Sequence, residues 1–301
     1  MHLALCQYAI ELFETEKAYA EHLEWLVEQA ASRGAELLVL PEYASLVMTG
    51  QMTPEVRSDL HASIEALQAR LPGWLEQCES LARRFGIHLL PGTAPVRDED
   101  GIFRNRAWLF GPDGLIGTQD KLIMTRFERE HWHIHGGQGL QVFETRLGRL
   151  GILICYDNEF PMAARLLAEQ GVDLILSPSC TDTRAGYHRV RTGARARALE
   201  NQIAVAVSPT VGKAPWSQSL DYNYGRAAVY VPADIGMPAN GVLAQSERVN
   251  ASQSSWLHVE LDPAEVANLR AQGEVLLRRD WEEQFDPTRL YIKSRDESTK
   301  P

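Results

Sequence analysis

Short apolar runs rich in branched residues alternate along this chain with longer amphipathic stretches. The apolar runs predict buried strands, and they include HLALCQYAI, AELLVLPEY, GILI, VDLILSPS and IAVAVSPTV. The amphipathic stretches predict helices, as in residues 15–34, where apolar positions recur three and four residues apart and Gly34 ends the pattern. Strands and helices mixed throughout the chain predict an α/β protein with a large central sheet system.

Further segments complete this pattern. A long helical region is predicted over Pro54–Phe85, with a break near Pro72-Gly73, and a hairpin is predicted over residues 105–121. Helices are also predicted over 161–170, 188–202 and 263–273, and strands at GIHLLPGTAPV, GRAAVYVP and SSWLHVELD. No repeat, low-complexity linker or change in composition divides the chain. We therefore expect one domain over residues 1–285 and a polar C-terminal tail over residues 286–301.

Composition narrows the possible classes of function. With 301 residues, of which 45% are hydrophobic, the chain can bury a large core without disulfides or metal. Its net charge of −10 and pI of about 5.4 argue against nucleic acid or an anionic membrane as a partner, because phosphates require a basic surface. The four cysteines, Cys6, Cys78, Cys155 and Cys180, lack any CxxC spacing and are typical of reduced thiols. Because the N-terminal segment shows neither a basic leader nor a spanning apolar run, we expect a cytoplasmic protein.

Three reactive side chains stand where a predicted strand ends. Glu42 follows LLVLP, Lys121 follows LIGTQD, and Cys155 follows LGILI. In open α/β sheets, ligands collect beyond the carboxyl ends of strands, so these side chains can converge although they are far apart in sequence. Each alone also has an ordinary structural explanation: a core cysteine, a glutamate bound to loop amides, and a lysine paired with Asp120.

Together these three side chains suit acyl transfer. A thiolate is the nucleophilic form of cysteine, and a nearby ammonium or a helix N-terminus favours it. A carboxylate can accept the thiol proton and later activate water, while a cation and a backbone N–H stabilise the oxyanion of a tetrahedral intermediate. These groups suffice for acyl transfer through a thioester without a metal or an organic cofactor.

The segments that carry these residues resemble those of a known family. LLVLPEY, DKL and GILICYDNEFP are similar, in order and in separation, to the three signature segments of the nitrilase superfamily, the carbon–nitrogen hydrolases. The segments SPS, ARALENQIAVAVSPTVG and GRAAVYVPADIG also resemble this family, so the similarity covers roughly residues 1–285. The resemblance implies a four-layer α-β-β-α sandwich and a site that needs no metal or other cofactor.

The resemblance also implies a role for each residue at a matching position. Glu42 is the expected general base, Lys121 the oxyanion stabiliser and Cys155 the nucleophile. The backbone N–H of Tyr156 is the expected second donor to the oxyanion.

Many members of the family carry a second glutamate after the lysine, often followed two residues later by tryptophan. In KLIMTRFEREHWHIHGG this spacing selects Glu130, followed by Trp132. Glu130 is therefore predicted to position the lysine and the substrate amine, with Glu128 as the alternative.

The loop PSCTDTRAGYH lies where the family often shapes its substrate pocket. Its candidate lining residues are Cys180, Thr181 and Tyr187, and Trp132 and Glu128 are further candidates for substrate binding.

Two further clusters have other interpretations. Three histidines of HWHIH alternate, but no fourth ligand or HExxH motif accompanies them, so we expect them near the active-site mouth rather than on a metal. They are His131, His133 and His135. Five arginines of RAGYHRVRTGARARALEN are expected to pair with neighbouring acids, although one of them can receive a substrate carboxylate. They are Arg184, Arg189, Arg191, Arg195 and Arg197.

The resemblance favours an amidase. CYD after the strand is similar to the amidase branches, whereas nitrile-cleaving branches often show Cys-Trp-Glu. We therefore expect hydrolysis of a small aliphatic or carboxylate-bearing amide, with release of ammonia or an amine. The alternatives are a nitrilase, an acyltransferase, a non-catalytic binding member of the fold, and a redox protein in which Cys180 resolves Cys155. The family also commonly assembles through the face that carries the cysteine helix, which implies a homodimer or larger homo-oligomer.

Overall fold

The computed structural model of the chain describes residues 1–247, 249, 252–286 and 288. Within these residues the strands are β1 (His2–Ala9), β2 (Leu37–Val39), β3 (His88–Leu90), β4 (Thr93–Arg97), β5 (Phe103–Gly111), β6 (Gly114–Asp120), β7 (Ile134–His135), β8 (Val142–Thr145), β9 (Gly148–Ile152), β10 (Leu174–Ser179), β11 (Ala204–Lys213), β12 (Tyr222–Asn223), β13 (Ala228–Tyr230), β14 (Val242–Gln245) and β15 (Ser255–Glu260).

The helices of the described residues flank these strands. The α-helices are α1 (Glu16–Ala31), α2 (Pro54–Arg57), α3 (Leu60–Leu67), α4 (Leu71–Phe85), α5 (Arg126–Glu130), α6 (Pro161–Glu169), α7 (Arg184–Asn201), α8 (Pro263–Gln272) and α9 (Leu277–Asp280). Short 3₁₀-helices cover Ala44–Gln51, Cys155–Glu159 and Trp281–Phe285.

The strands form two sheets that face each other. The first runs β4-β5-β3-β2-β1, with β15, β6 and β7 paired to its members, and the second runs β11-β10-β9-β8, extended by β13 and β14. The two sheets join where the ends of β1 and β11 pair in parallel, Tyr8 with Thr210 and Ala9 with Val211. The parallel strands β2, β9 and β10 end in the region where the candidate site lies.

The alternation of side chains along β1 explains why there are four layers. Leu3 and Leu5 lie in the apolar core that also contains the second sheet, whereas Ala4, Cys6 and Tyr8 lie in the core that contains α1 and α4. Successive side chains of a strand point to opposite faces, so each sheet is covered on both sides. Helices α6 and α7 contribute to the core on the second sheet. The predicted α-β-β-α sandwich is confirmed.

Several predicted boundaries differ from the observed ones. The region Pro54–Phe85 contains three helices, and Pro72 lies in the first turn of α4, where its missing N–H leaves no intrahelical bond unmade. The predicted strand GIHLLPGTAPV is divided into β3 and β4 at Gly92, whose φ is +95° and whose added Cβ would lie 2.1 Å from the carbonyl oxygen of Pro41. Helix α7 begins earlier than predicted because the Thr183 side chain caps it by accepting from the N–H of Gly186.

Other predicted elements agree closely with the structure. The hairpin β5–β6 closes at the pair Gly111–Gly114, and α6 ends one residue before its predicted boundary. No helix among the described residues is long and apolar enough to cross a membrane. The predicted tail falls almost entirely outside the described residues, and the division into one domain and a tail stays a prediction.

Candidate active site

Three strand ends bring the predicted trio together. Glu42 lies beyond β2, Lys121 directly after β6, and Cys155 beyond β9. The ammonium nitrogen of Lys121 donates to Oε1 of Glu42 at 2.8 Å, and both side chains are only 1% exposed. The thiol of Cys155 interacts with the same carboxylate, and its Sγ lies 3.5 Å from the carbonyl oxygen of Cys180. The convergence expected from the strand ends is therefore present.

The second glutamate at this lysine is Glu128. Both of its carboxylate oxygens accept from Lys121 Nζ, at 2.8 and 2.7 Å, and Oε1 also accepts from the hydroxyl of Tyr43 at 2.6 Å. The amide of Asn105 donates to Oε1 of Glu42 at 2.9 Å and to Oε1 of Glu128 at 3.3 Å. One ammonium thus lies between two buried carboxylates that share a neutral donor.

The preference for Glu130 over Glu128 is wrong about which carboxylate contacts the lysine. The side chain of Glu130 is 47% exposed and pairs at 2.7 Å with Arg126, one turn away on the surface of α5. Glu128 points inward because α5 is fixed by a reciprocal cap: Thr125 Oγ1 accepts from the N–H of Glu128, and Glu128 Oε2 accepts from the N–H of Thr125 at 3.0 Å. The signal was in the sequence, since T-x-x-E in TRFE is the capping-box pattern.

The backbone at Cys155 has an unusual conformation. Its φ is +48°, in the left-handed region that a residue with a Cβ rarely adopts. The residue opens the 3₁₀-helix Cys155–Glu159, so the chain turns sharply from strand to helix at the thiol. Such strain is characteristic of functional turns, where the surrounding structure holds it. The first N–H groups of a helix lack intrahelical acceptors, and that of Tyr156 belongs to this class.

Burial and the neighbouring charges set the protonation states of the cluster. Burial raises the pKa of Glu42 to about 7, and Glu128 adds to this rise, although Lys121 opposes it. Burial alone would lower the pKa of Lys121, but the carboxylates of Glu128 and Glu42 raise it well above its ordinary value. Burial also disfavours ionised Glu128, yet the adjacent Lys121 ammonium outweighs this and lowers the pKa of that carboxyl. Lys121 and Glu128 are therefore a charged pair at neutral pH, and Glu42 titrates near it.

The thiol of Cys155 differs from the expected thiolate. Burial, followed by the Glu42 carboxylate, raises the pKa of this thiol well above its ordinary value, and Lys121 offsets only part of the rise. At rest Cys155 is therefore a neutral thiol beside a carboxylate that can accept its proton. Formation of a thiolate here requires a proton transfer, and the Glu42 carboxylate is an adjacent acceptor.

A cavity of about 360 Å³ opens onto this cluster. Its inner wall includes Glu42, Lys121, Glu128, Trp132 and Cys180, so Trp132 and Cys180 lie where the sequence predicted. Cys155 is 3% exposed and lies beside Glu42 and Cys180 rather than in the wall itself.

Thr181 and Tyr187 do not line this cavity. They lie in a separate small cavity, where the Thr181 hydroxyl donates to the carbonyl of Tyr224 and the Tyr187 ring packs on that of Tyr224 at 5.6 Å. Cys180 and Thr181 follow the end of β10, and consecutive side chains of an extended chain point in opposite directions. Only one of the two therefore faces the catalytic cluster.

Residues that the sequence did not single out contribute to the cavity and to the charged cluster beside it. Tyr43 packs its ring on Trp132 at 4.9 Å, and Asn223 accepts a hydrogen bond from the thiol of Cys180 at 3.0 Å. Asn105, also unpredicted, carries no sequence signal beyond its position opposite Lys121, whose N–H donates to its carbonyl at 2.8 Å.

Charged side chains surround the mouth of the cavity. Arg126, Arg189, Asp182 and Asp221 all line it. Arg189 also pairs with Glu159 at 3.3 Å. Arg197 of the same helix pairs with Glu200 at 2.6 Å, as predicted, whereas Arg195 donates to the backbone carbonyl of Asn240 at 2.6 Å rather than to an acid.

The three predicted histidines contact other side chains or line an outer cavity. His133 stacks on His61 at 5.2 Å, and His131 lines an outer cavity that shares Phe127 with the inner one. Over residues 1–247, 249, 252–286 and 288, no group of three or more His, Cys, Asp or Glu side chains is arranged to hold a metal ion.

In this fold a carboxylate, an ammonium and a thiol meet at the ends of the strands. Residues 2–237 match the sequence profile of the family described as Carbon-nitrogen hydrolase. The chain belongs to the carbon–nitrogen hydrolase family.

Individual relatives agree with this assignment. "Probable hydrolase YhcX" of Bacillus subtilis is 32% identical over 248 residues, which are 82% of this chain and 47% of that protein. "Omega-amidase NIT2" of Xenopus tropicalis is 29% identical over 61% of this chain and 65% of its own length. This chain therefore spans about half to two thirds of these relatives. The crystal structure of Saccharomyces cerevisiae Nit3, a member of branch 10 of the nitrilase superfamily, has the same fold, with a TM-score of 0.68 and 24% identity over 90% of this chain and 93% of that one.

Proposed function

We propose that this chain is an amidase that cleaves a non-peptide C–N bond through a thioester on Cys155. One observation carries the proposal: a buried thiol, a carboxylate with a pKa raised to about 7 and a charged lysine meet beside a cavity of about 360 Å³. Glu42 accepts the thiol proton, and the thiolate attacks the amide carbonyl carbon. The ammonium of Lys121 and the N–H of Tyr156 stabilise the resulting oxyanion.

The second half of the reaction uses the same groups. Protonated Glu42 returns its proton to the leaving nitrogen, so that ammonia or an amine departs and an acyl thioester remains on Cys155. Glu42 then removes a proton from water, which attacks the thioester and releases the carboxylic acid and the free thiol. Glu128 keeps the Lys121 ammonium charged and oriented throughout, through bonds of 2.7 and 2.8 Å.

The test is ammonia release from a panel of small amides and their matched nitriles, with wild type beside Cys155→Ala. We expect turnover of amides that is lost in the variant, and a mass increase equal to the acyl group on wild type trapped at low pH. Turnover that persists in Cys155→Ala contradicts the nucleophile assignment. Nitrile turnover above that of every matched amide would make the enzyme a nitrilase instead.

The charged mouth supports a carboxylate-bearing amide as substrate. Arg126 and Arg189 line the cavity, and a guanidinium binds a carboxylate with two hydrogen bonds. The Xenopus relative is an omega-amidase by name. We expect Arg189→Gln to raise KM for monoamides of dicarboxylic acids about tenfold, while uncharged amides are unaffected. Because Asp182 and Asp221 line the same mouth, an amide with a distal ammonium is the matched competitor, and a preference for it would overturn this specificity.

We also propose a homodimer formed through the face of α6 and α7. Met162 and Leu166 of α6 are 57% and 49% exposed, and Leu199 of α7 is exposed as well, which leaves an apolar face beside the Cys155 turn. Analytical ultracentrifugation of wild type and Leu166→Glu tests this: we expect a dimer that the variant dissociates. A monomeric wild type would contradict it.

The four unpaired thiols support a reducing, cytoplasmic location.

A further inference from the structure

Asp157 is a buried carboxylate that the proposed chemistry does not use. It lies two residues after Cys155 in the 3₁₀-helix and is 1% exposed. Its Oδ1 accepts from the N–H of Ile123 at 2.9 Å and from that of Leu122 at 3.2 Å, and its Oδ2 accepts from the N–H of Ile154 at 3.1 Å. A buried charge is retained only where such bonds satisfy it.

The three N–H groups that donate to Asp157 belong to residues next to Lys121 and Cys155, which come from opposite sheets. Leu122 and Ile123 directly follow Lys121, and Ile154 directly precedes Cys155. Lys121 comes from the end of β6 in the first sheet, and Cys155 comes from beyond β9 in the second. The Asp157 carboxylate therefore connects the lysine loop to the cysteine turn across the gap between the two sheets.

We propose that Asp157 is a positioning residue that fixes the Lys121 ammonium relative to the Cys155 thiol. The inference rests on the proposed amidase reaction. A catalytic group displaced by about 1 Å can lose about 10²-fold in rate, and hydrogen bonds to a carboxylate are stronger than those between neutral groups. Asp157 contacts neither substrate nor the reacting atoms in this scheme; it acts through the backbone on both sides of the reacting pair.

The neighbouring Asn158 supplies a matched contrast. Its amide donates to the carbonyls of Leu153 and Cys155, at 3.1 and 3.2 Å, and to the hydroxyl of Ser177 at 2.6 Å. These bonds stabilise the cysteine turn from within the second sheet. A variant here disturbs the turn without removing the bonds that Asp157 makes to the lysine loop.

The experiment compares Asp157→Asn, Asp157→Glu and Asn158→Ser, each normalised by active-site titration of the acyl-enzyme. For Asp157→Asn we expect kcat per titrated site to fall 10- to 100-fold with KM within about twofold, because the nucleophile and the oxyanion donor lose their alignment. Asp157→Glu keeps the carboxylate and should recover part of this loss. Asn158→Ser should reduce the number of titratable sites and the melting temperature more than the rate per site.

Each outcome decides the inference. An Asp157→Asn enzyme with wild-type kcat per site, or one whose only defect is a smaller number of sites, overturns the positioning role. If Asp157→Asn does not fold, Asp157→Glu decides the question. Its longer side chain shifts the hydrogen bonds to the lysine loop and to the cysteine turn, so a rate per site equal to that of wild type also overturns the positioning role. Activity that survives Cys155→Ala refutes the proposed function instead, so the two failures are distinguishable.

Discussion

Two cysteines follow the ends of neighbouring parallel strands and differ in backbone conformation and in the hydrogen-bond partners of their thiols. Strands β9 and β10 pair in register from Leu150–Leu174 to Ile152–Leu176, and Cys155 and Cys180 lie just beyond them. Burial raises the pKa of both thiols. At Cys155 the backbone is left-handed and the thiol interacts with Glu42. At Cys180 the backbone N–H donates to Glu42 Oε2 at 2.9 Å, while the thiol donates to Asn223.

A depressed thiol pKa does not separate the proposed nucleophile, Cys155, from Cys180, because burial raises the pKa of both thiols. Both thiols are neutral at rest, so the difference lies in the acceptor. Cys155 faces a carboxylate whose pKa is raised to about 7 by burial, and Lys121 lies beside that carboxylate to receive an oxyanion. Cys180 faces a neutral amide oxygen, which cannot hold its proton. Its backbone N–H instead donates to the Glu42 carboxylate.

The largest expected effect separates the two cysteines directly. Cys155→Ala should lower kcat by about 10⁴-fold or more, since it removes the nucleophile of a unit whose members act together. Cys180→Ala keeps its backbone N–H to Glu42 and should cost less than about tenfold, mainly in KM. Ammonia release and the acyl-enzyme mass of each variant measure both effects. A Cys180→Ala enzyme as inactive as Cys155→Ala would break the comparison.

The second effect tests the charged cluster of Glu42, Lys121 and Glu128 beside the Cys155 thiol. Glu128→Gln should lower kcat by about 10²–10³-fold, because the Lys121 ammonium loses a carboxylate partner that orients it toward the oxyanion. Glu130→Gln, two residues away and exposed, is the matched control and should remain within twofold of wild type. Steady-state kinetics on one amide decides this. Equal losses in the two variants would return the positioning role to Glu130.

The third effect is a pH dependence that belongs to Glu42. Burial raises the pKa of this carboxyl to about 7, and only its ionised form accepts the thiol proton. Log kcat/KM should therefore fall with unit slope below pH 7, about tenfold at pH 6. Residual turnover by Glu42→Gln should lack this limb. A wild-type profile that is flat from pH 8 to 5.5 would contradict the assignment.

The same shift has the opposite effect on stability. A carboxyl whose pKa is higher in the folded state than in the unfolded chain binds its proton more tightly when folded. Its contribution to the free energy of unfolding is therefore complete below pH 4 and is lost as the pH rises through 7. Melting temperatures of wild type and Glu42→Gln should converge at low pH and separate at high pH, with the variant more stable. The reverse trend would contradict the raised pKa.

The sequence predicted which strand ends carry the site residues better than it predicted which side chains point into the site. Apolar runs ending in Glu42 and Cys155 predicted strand ends, and the resemblance to a family joined them to Lys121. The choice between Glu128 and Glu130 depends on the phase of a five-residue helix, which the cap at Thr125 fixes and which family spacing does not encode. The capping-box pattern T-x-x-E that begins at Thr125 selects Glu128.

Other features follow from tertiary packing alone. The sequence shows the charge of Lys121, which lowers the pKa of the Cys155 thiol, but it does not show the burial of that thiol. Burial has the larger effect and raises the pKa. Cys180 and Thr181 were equal candidates for the pocket, and only the direction of the chain beyond β10 separates them. Asp157 is part of a signature segment, yet its three backbone donors come from two sheets that sequence alone does not bring together.

The smallest expected effect examines what Cys180 does instead of chemistry. Asn223 is buried, and its Oδ1 accepts from Cys180 and from the hydroxyl of Thr210, both at 3.0 Å. Asn223→Ala leaves these donors without an acceptor, which should cost about 1–3 kcal/mol of stability. Because the N–H of Cys180 still binds Glu42, kcat should stay within twofold and KM should rise two- to fivefold. Thermal unfolding and steady-state kinetics measure the two effects separately. A loss in kcat comparable with that of Glu128→Gln would mean that the Cys180 strand end takes part in the reaction, and the distinction between the two cysteines would fail.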